Sequence, residues 1–183
     1  QKGKSGLTEI NDQSGLISTH RLDTFPWLPN EKIDEISDML ATEPELNILW
    51  GCSHHSSTAR KKGVLSKEET PIFKYPVVHS TPAKGTRYFY ANRNTGAHFG
   101  TPKAIFGESG INDVIIDIEG EYGMTECAMA IAIDSHEDGE ELKEYLMGDK
   151  FAEVLRATKW GNFRIDWRMF RDFKQGFWRA QNE

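Results

Sequence analysis

The sequence predicts an α+β domain: a mixed, mostly antiparallel sheet, one helix near the N-terminus, and further helices after the strands. Three observations carry this reading. Short apolar runs separated by Gly, Pro and Asn fill residues 75 to 133, apolar residues at helical spacing fill 138 to 177, and one isolated helix-period stretch precedes them both. Strands followed by helices, rather than alternating with them, are the α+β order.

Taken in order, residues 1 to 18, "QKGKSGLTEINDQSGLIS", are polar and Gly/Ser-rich and read as a linker or appended remnant. Residues 19 to 183 read as a single domain, long enough to bury a core without staples. "DTFPWLPNEKIDEISDML" places Phe25, Trp27 and Leu28 as a docking segment, then a helix opening near Asn30 with Ile33, Ile36, Met39 and Leu40 on one face, ended by Pro44. "LNILWGC" is a strand, and "SHHSSTARKKGVLSKEET" a long cationic loop. Strands are expected at 75–79, 86–91, 103–106, 113–118 and 126–133, and helices in "DGEELKEYLMG", "DKFAEVLRATKW" and "DWRMFRDFKQGFW".

The net charge of −6 disfavours a polyanionic partner only if it is spread evenly, and it is not. Residues 1–53 carry −5, residues 54–103 carry +7, residues 104–148 carry −11 and residues 149–179 carry +4. Two basic blocks flank an acidic one. Cys52 and Cys127 lie far apart, and neither a secretory leader nor a membrane-spanning run is apparent, so a reducing, cytoplasmic location is expected.

The chemistry-bearing patterns are few. "FGESG", Phe106 to Gly110, is followed by the strand-like "INDVIIDI" where a cofactor-cradling helix would have to begin. Cys52, His54, His55, His79, His98 and Cys127 have no paired metal-ligand spacing, so no metal site is expected. Asp113, Asp117 and Glu119 alternate like half of a metal-dependent nuclease centre, but no lysine follows in "DIEGEYG". No activated Ser or Cys nucleophile is seen, and no catalytic residue is assigned.

"GTRYFYANRNTGAHFGTPK", residues 85 to 103, is the richest stretch. Tyr88-Phe89-Tyr90 puts rings on both faces of a strand, so that one face meets either a second packed layer or a ligand. Its flanking side chains suit nucleic acid. Arg87 and Arg93 have the geometry for guanine, Asn92 and Asn94 for adenine, with His98 beside them. Arg60, Lys61, Lys62, Lys67, Lys74 and Lys103 are suited to phosphates. Lys159, Arg164 and Arg168, beside Trp160 and Trp167, form a second candidate backbone contact, equally readable as a helical packing face.

Several motifs resemble the carboxy-terminal target-recognition part of restriction-modification DNA adenine-N6 methyltransferases. They are "PKAIFG" at 102–107, "GEYGMT" at 120–125, "LMGDKF" at 146–151 and "FRIDWRMF" at 163–170, spread over roughly residues 20 to 179. The resemblance implies a sequence-specific reader of double-stranded DNA that works beside a catalytic methyltransferase domain in the same parent polypeptide. That domain would bind S-adenosylmethionine and flip the adenine. The family's catalytic Asn/Asp-Pro-Pro-Tyr/Phe loop has no counterpart, since no Pro-Pro pair occurs here, so this chain is expected to bind no cofactor and to be no enzyme by itself. A metal-dependent DNA nuclease and a protein-interaction module remain as alternatives.

Overall fold

The computed structural model describes residues 6–21, 25–27, 29–43, 45–50, 54, 56–158 and 165–179. The first elements are β1 (Thr8–Asn11) and β2 (Ile17–His20), an antiparallel hairpin where the sequence reading places a linker. The turn explains the difference. Asp12 Oδ1 accepts from Ser14 N, Ser14 Oγ and Leu16 N at 2.9, 2.6 and 2.9 Å, an Asx-type turn that organises polar sequence without apolar residues. Gln13 N donates to Asn30 O at 3.0 Å, tying the hairpin to the segment before α1 (Ile33–Met39). That helix starts after Lys32, and buries Ile33, Ile36 and Met39 as its spacing predicts. Phe25 and Trp27 pack against the same core; Leu28 and Pro44 lie outside the described residues.

β3 (Ile48–Leu49) is followed by α2 (Ser56–Lys61) and β4 (Leu65–Ser66), where a loop was expected. Then come β5 (Tyr75–Ser80), β6 (Arg87–Ala91), β7 (Lys103–Gly107), β8 (Ile115–Asp117), β9 (Gly123–Met124) and β10 (Ala128–Ala132). The chain ends in α3 (His136–Met147), α4 (Asp149–Ala157) and α5 (Trp167–Arg171). Ser135 caps α3 by accepting from Asp138 N at 3.1 Å, as an S-x-x-D start should.

The strands form two four-stranded sheets, β3-β10-β7-β8 and β4-β6-β5-β9, antiparallel except for the β5–β9 pair. The fold is thus α+β with mostly antiparallel pairing, its strands divided among the N-terminal hairpin and these two sheets.

Strand alternation sorts the side chains into layers. From β7 and β10, Ala104, Phe106, Met129 and Ile131 point into a core shared with α1, α3, α4 and α5. Ile105, Ala128 and Ala130 point the other way, meeting Val78 and Met124 between the sheets. Val77, Phe89 and Ala91, on the outer face of the second sheet, are covered by Ala59 of α2 and by Phe99. The order is therefore α2, second sheet, first sheet, remaining helices.

Tyr88-Phe89-Tyr90 is explained by this sandwich. Phe89 is covered by the α2 layer. Tyr88, 36% exposed, lies on the opposite face with its ring 6.1 Å from that of Tyr122. One face of β6 meets the α2 layer, and on the other Tyr88 meets Tyr122 while staying partly open to solvent.

Candidate nucleic-acid interface

The outermost layer on the second sheet consists of α2 and the connection from β6 to β7. A six-residue helix with one buried alanine cannot stand alone. It is held from a distance. Glu126, 70 positions later, takes both donors of Ser56: the backbone N–H at 2.8 Å on Oε2 and the hydroxyl at 2.7 Å on Oε1. Burial pushes the Glu126 pKa up, but the two Ser56 bonds, its own backbone N–H and His79 outweigh this and hold it below the ordinary glutamate value. Farther along, the Arg60 guanidinium lies 5.4 Å from the centre of the Phe89 ring, with its Nε donating to Ser56 O at 3.2 Å. Ser57, Thr58, Lys61 and Lys62 are left exposed.

The β6–β7 connection is fixed at both ends. Asn92 N donates to Val64 O at 3.2 Å and Asn92 Nδ2 to Gly63 O at 3.1 Å, which joins this connection to the turn following α2. Beyond the tip, Gly96, Ala97 and His98 all have positive φ (73°, 52° and 64°), and Phe99 N closes on Gly96 O at 3.1 Å. Two consecutive non-glycine residues in the left-handed region cost on the order of 1–2 kcal/mol each. Tertiary contacts hold them there: Met124 N donates to Ala97 O at 2.9 Å, and Gly100 N to Gly120 O at 2.8 Å. A Cβ on Gly120 would come within 2.6 Å of the Gly100 carbonyl carbon, and one on Gly123 within 2.6 Å of the Phe99 ring. The left-handed turn is therefore wedged against the "GEYGM" segment, and Arg93, Asn94 and Thr95 are presented to solvent from a rigid root.

Hence the structure brings together Arg60, Lys61 and Lys62 with Arg93 and Asn94, although some thirty positions separate them. Asn92 belongs to the same place but uses its amide to join the two turns. Lys67 and Lys74 are exposed on the β4–β5 connection, with Lys74 Nζ 5.3 Å from the centre of the Tyr75 ring. Arg87 is exposed on the α2 side of β6 but at its opposite end, paired in register with Ser80. It does not sit beside Arg93. His98 is half-buried in the left-handed root, away from the exposed tip.

Lys103 must be corrected. Its side chain is fully buried, bonded at 2.5 Å to Asp117 Oδ2 and at 3.0 Å to Thr101 O, so it cannot reach a phosphate. Burial draws its pKa below the ordinary lysine value, with Asp117 opposing. Asp117 also accepts from Glu121 N at 2.8 Å and Tyr122 N at 3.0 Å, which anchors the "GEYGM" segment. This commitment removes Asp117 from any metal centre with Asp113, which pairs with Lys143 at 3.4 Å, or with exposed Glu119. Among the described residues no group of three or more His, Cys, Asp and Glu side chains is placed to hold a metal; Cys52 and His55 lie outside them. "FGESG" leads from β7 into antiparallel β8, and Glu108 in it is buried, with its carbonyl accepting from Ile165 N at 2.6 Å.

Eight cations from the first basic block, Arg60, Lys61, Lys62, Lys67, Lys74, Lys84, Arg87 and Arg93, are exposed, and among the described residues none of them forms an ion pair. Exposed Glu137, Glu140, Glu141 and Glu144 lie on α3, behind both sheets. With layers about 10 Å apart, that separation is roughly 20 Å or more. The screening length at physiological salt is about 8 Å, so the α3 carboxylates are screened from the basic face.

Sequence reasoning missed Ser56 and Glu126. Their contact joins a serine-rich run to the residue after "GEYGMT", and no local pattern signals a pairing at that separation. Among the described residues no helix is long and apolar enough to cross a membrane. Comparison with protein-family models, curated proteins and solved structures finds no match for this chain.

Proposed function

We propose that this chain binds double-stranded DNA in a sequence-specific manner through the layer formed by α2 and the β6–β7 connection. The observation that carries the proposal is the group of exposed cations without ion-pair partners among the described residues, Arg60, Lys61, Lys62 and Arg93, brought together where α2 meets the β6–β7 connection. Polyanions in general suit such a face. The tip bearing Arg93 and Asn94, on a root held by Met124 and Gly120, adds what sequence reading needs, guanidinium and amide groups presented beside phosphate anchors. The motif resemblance to adenine-N6 methyltransferases supports reading the chain as a target-recognition module. In that arrangement a separate catalytic domain binds S-adenosylmethionine and performs the transfer, while this chain sets register on the duplex.

Arg93→Ala tests the reading. On the duplex preferred by the wild type it is expected to cost about 1–3 kcal/mol, and far less on random DNA, because a base-edge contact discriminates and a phosphate contact does not. Titrations of the two duplexes at low salt measure both values. Equal losses on the two would remove Arg93 from base reading.

A further inference from the structure

Glu126 poses a problem for a DNA-binding face. Its carboxylate stays ionised by virtue of Ser56, on the side of the sheet that carries Arg60, Arg87 and His79, where a negative charge repels phosphate. With both Ser56 donors taken, the first turn of α2 has less to offer a phosphate. The cations lie at its other end, at Arg60, Lys61 and Lys62. What Glu126 supplies is a fixed seat for α2, through two bonds that set both the position and the rotation of its first residue. Arg60, stacked on Phe89 and bonded to Ser56 O, holds the helix from its other end. The exposed side chains left between these two anchors are Ser57 and Thr58, both able to hydrogen-bond base edges.

We infer that α2 is a second base-reading element, beside the Arg93–Asn94 tip, and that Glu126 is its positioning residue, trading some general DNA affinity for sequence preference. The inference rests on the DNA-binding reading above and adds the element and the residue that tune it.

The two roles of Glu126 separate by variant. Glu126→Gln removes the charge but keeps the seat: its amide oxygen accepts from Ser56 N–H, and its NH2 donates to the Ser56 hydroxyl. Glu126→Ala removes both. Ser56→Ala removes one bond and leaves the charge. The probes are a random-sequence duplex and the preferred duplex that the full 183-residue wild-type chain enriches from a random pool. Binding is measured at fixed low salt, alongside thermal unfolding of every variant.

Glu126→Gln is expected to bind random DNA about two- to fivefold tighter while keeping its preference, as removal of one opposing charge requires. Glu126→Ala is expected to gain similarly on random DNA but to lose about tenfold in preference, and Ser56→Ala to lose preference with random binding unchanged. Ser57→Ala/Thr58→Ala should lower preference without altering random binding. A merely structural Glu126 would lower both affinities together and track the unfolding temperature. Unchanged preference in folded Ser56→Ala and Ser57→Ala/Thr58→Ala would overturn the inference while leaving DNA binding standing. Failure of the wild type to bind or enrich any duplex would overturn the DNA reading itself.

Discussion

The two basic blocks are similar in sequence and opposite in use. In residues 149–179 the cations are spent within the molecule: Arg156 Nε binds Glu31 at 2.9 Å, Arg168 takes Asp166 in a fork, Arg171 lies 3.5 Å from Asp172 and Lys174 donates to Asp38 O at 2.7 Å. Arg179 pairs with buried Asp138, which also accepts from Trp178 Nε1 at 3.2 Å, so the end of the described chain is strapped to the start of α3. In residues 54–93 the described cations have no carboxylate partners; Arg60, bonded to Ser56 O, and Lys74 lie over aromatic rings instead. Ion pairing gives a charge a partner within the molecule, even where the cation stays at the surface. Stacking on a ring leaves it facing out. The difference depends on which elements end up adjacent, and a count of Lys and Arg does not reveal it. Lys159, Trp160 and Arg164 of the second block lie outside the described residues.

Lys103 marks the extreme of the paired class, and breaking its pair should produce the largest effect on stability. Asp117→Ala leaves an uncompensated ammonium between the sheets, and unpins the backbone of Glu121 and Tyr122; a loss of about 3–5 kcal/mol is expected in denaturant unfolding. A loss below about 1 kcal/mol would show that Lys103 escapes to solvent. Next is the wedge beneath the unpaired class. Gly120→Ala meets the Gly100 backbone and a φ of +70°, so about 1–3 kcal/mol of stability should be lost, with loosening of the Arg93 tip. Unchanged hydrogen exchange at Met124 N, bonded to Ala97 O, would contradict that coupling.

The smallest effect concerns pH. Burial, chiefly, holds the His79 imidazole below its ordinary value of 6.5; Glu126 opposes this, and Arg87 and Arg60 reinforce it. The unfolded chain therefore takes up the proton first as pH falls. The stability contributed by neutral His79 is complete above about pH 6.5 and declines as pH drops toward the folded-state value. His54, lowered by burial and by Arg93, acts with the same sign. His79→Gln should flatten the slope of stability between pH 6.5 and 5, measured by denaturant midpoints. A slope of the opposite sign would place the shift in the wrong direction.

Much of the fold was legible, because its core strands are short continuous apolar runs and its long helices carry their own period. "KAIFG" and "AMAIA" read as strands, and "ELKEYLM" and "FAEVLRA" as helix faces, from residues that touch in the expected alternation. α2, β4 and β9 were not legible. Each is too short to show a period, and α2 owes its place to a carboxylate 70 positions away. The N-terminal hairpin was hidden because an aspartate turn shapes it, with no apolar face to announce it. Of the candidate site, residue types were readable but exposure was not. Lys103 looked like the neighbouring cations, yet it sits in a strand whose every residue is buried, opposite Asp117 in register.

The central claim is that unpaired cations, not cations in general, form a DNA surface. It is tested most directly by the salt dependence of duplex binding for two double variants, Lys61→Ala/Lys62→Ala and Arg156→Ala/Arg168→Ala. The first should weaken binding to every duplex and make the slope of log K against log salt shallower by up to about 2, one unit per lost phosphate contact. The second should leave affinity and slope as in the wild type. Equal slopes for the wild type and the folded Lys61/Lys62 variant, or an equal change from the Arg156/Arg168 pair, would contradict the account.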